Sequence, residues 1–133
     1  MTLQLRDTSP KGRGVFTLAP IAAGQRIEEV PVIAYPAAQK ELISRTVFSD
    51  YPYDWTDGGE ALPMGLGSFY NHSYRPNARY VKHFDRRTIE FVALRAIAAG
   101  EEITVNYNGS PHDPAPLWFP VAEEPSGPLP AVP

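Results

Sequence analysis

Several short runs of this sequence gather side chains that could do chemistry. Asn71-His72-Ser73-Tyr74-Arg75-Pro76-Asn77 places amide, imidazole, hydroxyl and guanidinium groups directly behind apolar Phe69 and Tyr70. Polar atoms that close to a core need hydrogen-bond partners. A Ser73 nucleophile with His72 as its base is disfavoured, because adjacent side chains rarely converge and no nucleophile elbow surrounds them. Gly100-Glu101-Glu102-Ile103-Thr104-Val105-Asn106-Tyr107 reads as a turn and a strand leading to a tyrosine, whose ordinary place is a packed ring with its hydroxyl at the rim. Gly12-Arg13-Gly14 reads as a tight turn; without a third glycine and a following helix it is no dinucleotide fingerprint. Trp118-Phe119 reads as an anchor for the end of the chain.

Composition limits what these runs can belong to. A chain of 133 residues, 43% hydrophobic and 20% charged, is one globular domain with a real core. No apolar run is long enough to span a membrane, and Met1 to Lys11 lacks the apolar stretch of a signal peptide, so a soluble, cytoplasmic protein is expected. The absence of cysteine excludes disulfides, thiolate zinc sites and a cysteine nucleophile. His72, His83 and His112 follow no metal-ligand spacing, so no metal is expected. Residues 1–110 carry 12 bases against 12 acids, and the net charge of −3 comes from Asp113, Glu123 and Glu124. A balanced body with an acidic end does not suit direct nucleic-acid binding and tolerates a basic peptide.

The elements that must position these residues are short and mainly β. Val15–Leu18, Arg26–Ala34, Ala78–Lys82, Thr88–Leu94 and Glu102–Asn106 are rich in β-branched and aromatic residues, and Asp85-Arg86-Arg87 reads as a hairpin connection. The near-3.6 spacing of Ala38, Leu42, Ile43 and Val47 predicts one helix over Ala37–Phe48. Glycines 58, 59, 65 and 67 with Pro63 mark a loop region with close backbone approaches. Leu18-Ala-Pro-Ile-Ala-Ala-Gly24 is echoed by Leu94-Arg-Ala-Ile-Ala-Ala-Gly100, which predicts two similar strand-to-turn corners. Eight of the 15 prolines fall between Pro111 and Pro133, which predicts an extended tail.

Taken in order, the runs resemble the SET-domain protein-lysine methyltransferases, with the likeness extending from about Lys11 to Phe119. Lys-Gly-Arg-Gly-Val-Phe at 11–16 is similar to the family's opening glycine motif. Residues 71–77 are similar to its Asn-His-Ser-Cys-x-Pro-Asn signature, and residues 100–107 to its Gly-Glu-Glu-Leu-x-x-x-Tyr segment. The shortness resembles the stand-alone members of bacteria and large viruses. The resemblance implies a SET domain over 1–119 with a short helical insert at about 37–64, and a proline-rich tail over 120–133. It also implies a β-clip of several small sheets with a knot-like C-terminal crossing, an arrangement rare among folds.

The implied activity is methyl transfer from S-adenosylmethionine to a lysine side chain of a protein or peptide. By the same resemblance Tyr107 is the active-site tyrosine. Lys11, Gly12, Arg13, Asn71 and His72 hold the donor, and Trp118 covers its adenine. Tyr80 and Tyr70 line the substrate channel. Tyr74 departs from the family's cysteine, so the zinc module of cysteine-rich relatives is absent and Pro114–Phe119 is left to close the site. The tyrosine-x-glycine piece that often follows the family's first strands is also missing. The alternative reading is a catalytically silent SET-like binding module, and exposed β edges in so small a domain offer a route to a homodimer.

Overall fold

Among the described residues, 2–8 and 12–119 of a computed structural model, turn residues cut the chain into nine strands and one short α-helix with two 3₁₀ turns. The strands are β1 (Leu3–Asp7), β2 (Arg13–Thr17), β3 (Arg26–Tyr35), β4 (Tyr53–Asp54), β5 (Glu60–Pro63), β6 (Asn71–His72), β7 (Ala78–His83), β8 (Thr88–Ala93) and β9 (Glu102–Val105). They form a four-stranded sheet ordered β1-β2-β9-β6 and a five-stranded sheet ordered β4-β5-β3-β8-β7. Lys11 and the tail 120–133 lie outside the described residues.

Period-two alternation fixes which face of each strand is buried. In β8, Ile89, Phe91 and Ala93 are buried while Thr88, Glu90 and Val92 are not. They meet Ile27 and Val30 of β3, Tyr70 and Ala78, and the core continues through Val15, Ile21, Ile97, Ile103 and Val105. Burying each large apolar side chain is worth about 1.5–3 kcal/mol. The β7–β8 hairpin turns at Asp85-Arg86-Arg87 as the sequence predicts, with Arg87 at φ 53°.

The echoed corners meet each other. Ile21 and Ile97 form an antiparallel bridge with reciprocal N–H···O bonds of 2.8 Å. Gly24 donates its N–H to the carbonyl of Ala93, and Gly100 donates to that of Thr17. The partners correspond one to one, so the two corners are related by a local two-fold. Both glycines hold left-handed φ, +79° and +87°, as turns of this kind require.

Helix over Ala37–Phe48 is only partly realised: a 3₁₀ turn at Ala37–Gln39 runs into α1 (Lys40–Ser44), and turns follow. The apolar stripe has nothing to pack on, since Leu42 is 63% exposed and Val47 81%. The Ser44 and Thr46 hydroxyls bond the carbonyls of Glu41 and Ile43. A helix this short, without a buried face, does not propagate. The glycine-rich region does bring backbones close, because a Cβ on Gly59 would lie 2.5 Å from the Tyr35 carbonyl oxygen. It also contains β5, a strand that its bounding glycines and Pro63 disguised.

One of the two shortest strands joins the polar runs singled out in the sequence. β6 pairs in parallel with β9, Asn71 opposite Thr104 and His72 opposite Val105, and Ser73 N–H continues the pairing to the Val105 carbonyl. Asn77 clamps the other end: its amide donates to the Glu102 carbonyl at 2.7 Å and accepts from Thr104 N–H at 2.9 Å. The 71–77 and 100–107 runs are therefore locked side by side.

Candidate functional site

Asn71 is buried where β6 faces β2. Its Nδ2 donates to the Glu102 carboxylate at 2.8 Å, to the Arg13 carbonyl at 3.2 Å and to the Thr8 hydroxyl at 3.4 Å. Three acceptors on one nitrogen fix the amide's orientation and turn its oxygen away from them. Gly14 makes this approach possible, for a Cβ there would sit 2.4 Å from the Glu102 carboxylate and 2.7 Å from Asn71 Nδ2. Gly12 stands at φ +80° with open space where a Cβ would go. The Arg13 guanidinium lies 4.7 Å from the Phe69 ring centroid, a cation–π contact. A backbone stripped of side-chain bulk beside a fixed amide oxygen fits a ligand that presents an ammonium group.

Tyr107 follows β9 and is held at both ends. His72 Nδ1 accepts the Tyr107 N–H at 3.0 Å, so the neutral imidazole carries its proton on Nε2. The Tyr107 hydroxyl donates to the Tyr70 carbonyl at 2.6 Å. Burial, reinforced by the negative charge of Glu102, pushes the Tyr107 phenol well above its ordinary value, so it stays protonated.

Beyond Tyr107 opens a cleft of about 560 Å³ whose walls include Tyr51, Tyr53, Tyr70, Tyr80, Tyr107 and Trp118. Tyr80 packs edge-on against Tyr53 at 4.9 Å and donates its hydroxyl to the Tyr107 carbonyl at 3.3 Å. Burial, with the nearby Asp54 charge, raises its phenol to about 12. Trp118 lies nearly parallel to Tyr107, with 6.1 Å between ring centroids, and its indole N–H reaches Asp50 at 3.3 Å. Tyr70 reaches the cleft but is 1% exposed; its ring stacks on Phe91 and its hydroxyl donates to Glu28 at 2.8 Å.

The structure thus brings Tyr70, Tyr80, Tyr107 and Trp118 to one cleft, while Gly12, Arg13 and Asn71 lie outside its lining. His72 joins the two groups through Tyr107. The placement of Lys11 lies outside the described residues. Sequence reasoning missed Tyr51 and Tyr53, because nothing in their spacing distinguishes a cleft wall from an insert. It also missed Lys82, whose ammonium lines the cleft and donates to the Asp54 carbonyl at 2.7 Å.

The segment after Tyr107 folds back as a latch. Tyr74, where the resemblance places a cysteine, donates its hydroxyl to the Ala115 carbonyl at 3.0 Å. Asn108 donates to the same carbonyl at 2.8 Å, and buried Asn106 to that of Asp113 at 2.7 Å. Elsewhere Glu29, His83 and Glu90 converge in a way their spacing hid. Their carboxylates are engaged by Arg86 at 2.7 Å and Arg26 at 2.9 Å.

The sequence model of the SET domain matches residues 12–108. A Schizosaccharomyces pombe protein named histone-lysine N-methyltransferase, H3 lysine-37 specific, is 38% identical over 118 residues, covering 88% of this chain and 76% of that one. A crystal structure of a Plasmodium falciparum protein, a candidate histone methyltransferase, superposes with a TM-score of 0.63 at 26% identity, covering 82% of this chain and 99% of the other. No helix among the described residues is long and apolar enough to cross a membrane.

Proposed function

The chain belongs to the SET-domain family, and on that premise we propose that it is a protein-lysine N-methyltransferase using S-adenosylmethionine. The observation that carries the reading is the position of Tyr107. It is bonded on one side to His72, next to the fixed Asn71 amide, and it walls the aromatic cleft on the other.

In this reading Gly12, Arg13, Asn71 and His72, with Lys11, hold the donor, and Asn71 Oδ1 accepts from its ammonium. A lysine side chain enters between Tyr53, Tyr80, Tyr107 and Trp118. Trp118 then serves the substrate cleft as well as the donor edge. When bound, the donor supplies an electrophilic methyl group on a sulfonium sulfur; the S–C bond breaks as the N–C bond forms. The acceptor amine must be neutral. An ordinary lysine, pKa ~10.4, is ~3.4 units from deprotonation at pH 7, a cost of ~4.6 kcal/mol. Burial among rings lowers that pKa, and the proton leaves to water. Tyr107 is a poor base, since its phenol is held protonated. With its hydrogen engaged by Tyr70, its oxygen lone pairs are left for weak CH···O contacts to the methyl, each ~0.5–1 kcal/mol. Most of the rate then comes from alignment.

The name of the yeast relative makes a histone H3 peptide spanning lysine 37 the first acceptor to try. The test is calorimetry with S-adenosylmethionine, followed by radiolabelled transfer to that peptide and to cell lysate. Micromolar binding with a labelled lysine supports the reading. Donor binding without transfer to any lysine substrate favours the silent binding module, and no donor binding overturns the reading.

A further inference from the structure

The Tyr107 hydroxyl is only as well placed as the carbonyl that receives it, and that carbonyl belongs to Tyr70. Tyr70 is held from a third element. Glu28 stands on β3 at the bulge between Arg26 and Glu28, and its Oε1 accepts the Tyr70 hydroxyl at 2.8 Å. The same carboxylate accepts a backbone N–H from Leu66, four residues before Tyr70. Phe91 stacks on the Tyr70 ring at 4.2 Å, so the ring has one resting place and its hydroxyl one partner.

We propose that Glu28 is a positioning residue for methyl transfer: it fixes Tyr70, and the Tyr70 carbonyl fixes the hydroxyl of Tyr107. The proposal rests on the methyltransferase reading above. Glu28 is half-buried, and holding a carboxylate there costs solvation. Burial raises its pKa, while the bonds from Tyr70 and Leu66 oppose the rise. An apolar residue at position 28 would fill the space without that cost, but it would leave the segment 66–70 untied beside the reacting centre. Small misplacements at such a centre cost up to about a hundredfold in rate. Tyr70 is also followed directly by Asn71, so one carboxylate sets the entry of β6 for both groups of the site.

The test uses Tyr70→Phe, Glu28→Gln and the double variant in the full chain. Two readouts are taken: kcat and donor KM, and the ring resonances of Tyr107 in ¹³C-tyrosine-labelled protein, assigned with Tyr107→Phe. Each single variant is expected to lower kcat about tenfold with donor KM within about twofold. The double is expected to be no slower than the slower single, and the Tyr107 resonances are expected to shift in every variant. Wild-type kcat in the folded single variants, rate losses that multiply, or unmoved Tyr107 resonances overturn the proposal. If Glu28→Gln does not fold, Tyr70→Phe, which loses one hydroxyl, decides alone. If the wild-type protein methylates nothing, the methyltransferase reading fails. The resonances then decide whether Glu28 positions Tyr107.

Discussion

At Tyr107 a single oxygen separates the packing of the ring from the role in methyl transfer proposed for it. Tyr107→Phe keeps the ring against His72 and Trp118 and loses one hydrogen bond, worth about 1 kcal/mol. Thermal unfolding is expected to move only a few degrees while methyl transfer slows more than about tenfold; an unchanged rate would remove Tyr107 from the reaction. Gly14 gives a second test. Gly14→Ala drives a Cβ into the ends of two side chains, Glu102 and Asn71, which can swing away. Breaking the buried bonds of Asn71 should cost about 1–3 kcal/mol of stability, and donor affinity should fall about tenfold or more because the amide loses its orientation. Calorimetry on protein shown folded by a denaturant curve checks the second, and unchanged affinity would remove Asn71 from the donor site. Asn71, His72 and Tyr107 could be singled out in the sequence because each sits in a short run of distinctive local order. Glu28 could not. A carboxylate in a strand pattern looks solvated until the fold, 42 positions later, sets Tyr70 against it.

The strands could be read where alternation and turn residues coincide, as in β8 and its hairpin. β5 and β6 could not, since four and two residues hold too little pattern, and β6 exists only because β9 runs beside it. The twin corners offer a quantitative check on the local two-fold. Gly24→Ala and Gly100→Ala each force left-handed φ on a residue with a Cβ, in open space, so strain is the whole effect. Each should cost about 1–2 kcal/mol, and the two should agree within about 0.5 kcal/mol in urea unfolding; a large disparity would mean the corners are equivalent in shape only. The latch makes a different demand. Tyr74→Phe removes one of the two donors on the Ala115 carbonyl and should speed proteolysis after Asn108 and raise peptide KM several-fold. Wild-type cleavage and KM would show that Asn106 and Asn108 hold the segment unaided.

Over the whole molecule, the densest charge network stands on the second sheet, where Arg26, Glu29, His83, Arg86 and Glu90 converge. The Arg86 guanidinium and the Thr88 hydroxyl hold the Glu29 carboxyl down at about 2, from an ordinary 4.5. A depressed acid stabilises the fold above its unfolded pKa and stops doing so as pH falls through its folded one. The stability that Arg86→Ala removes should therefore be present at pH 7 and shrink between about 4.5 and 2; a difference constant across that range would contradict the pairing. Glu28 runs the other way, its raised carboxyl relieved by acid. Sequence alone supplied the fold class and the family through three ordered motifs. The cleft's tyrosines and this charge network depend on strands brought together over long separations, and no local spacing records them. The latch, finally, is read through main-chain carbonyls at Asp113 and Ala115, which every amino acid possesses. The side chains carried by residues 114–117 are thereby left uncommitted. Substitutions at 114–117 can therefore alter the chain beside Trp118, a wall of the cleft, without removing the bonds that fasten the segment to the body.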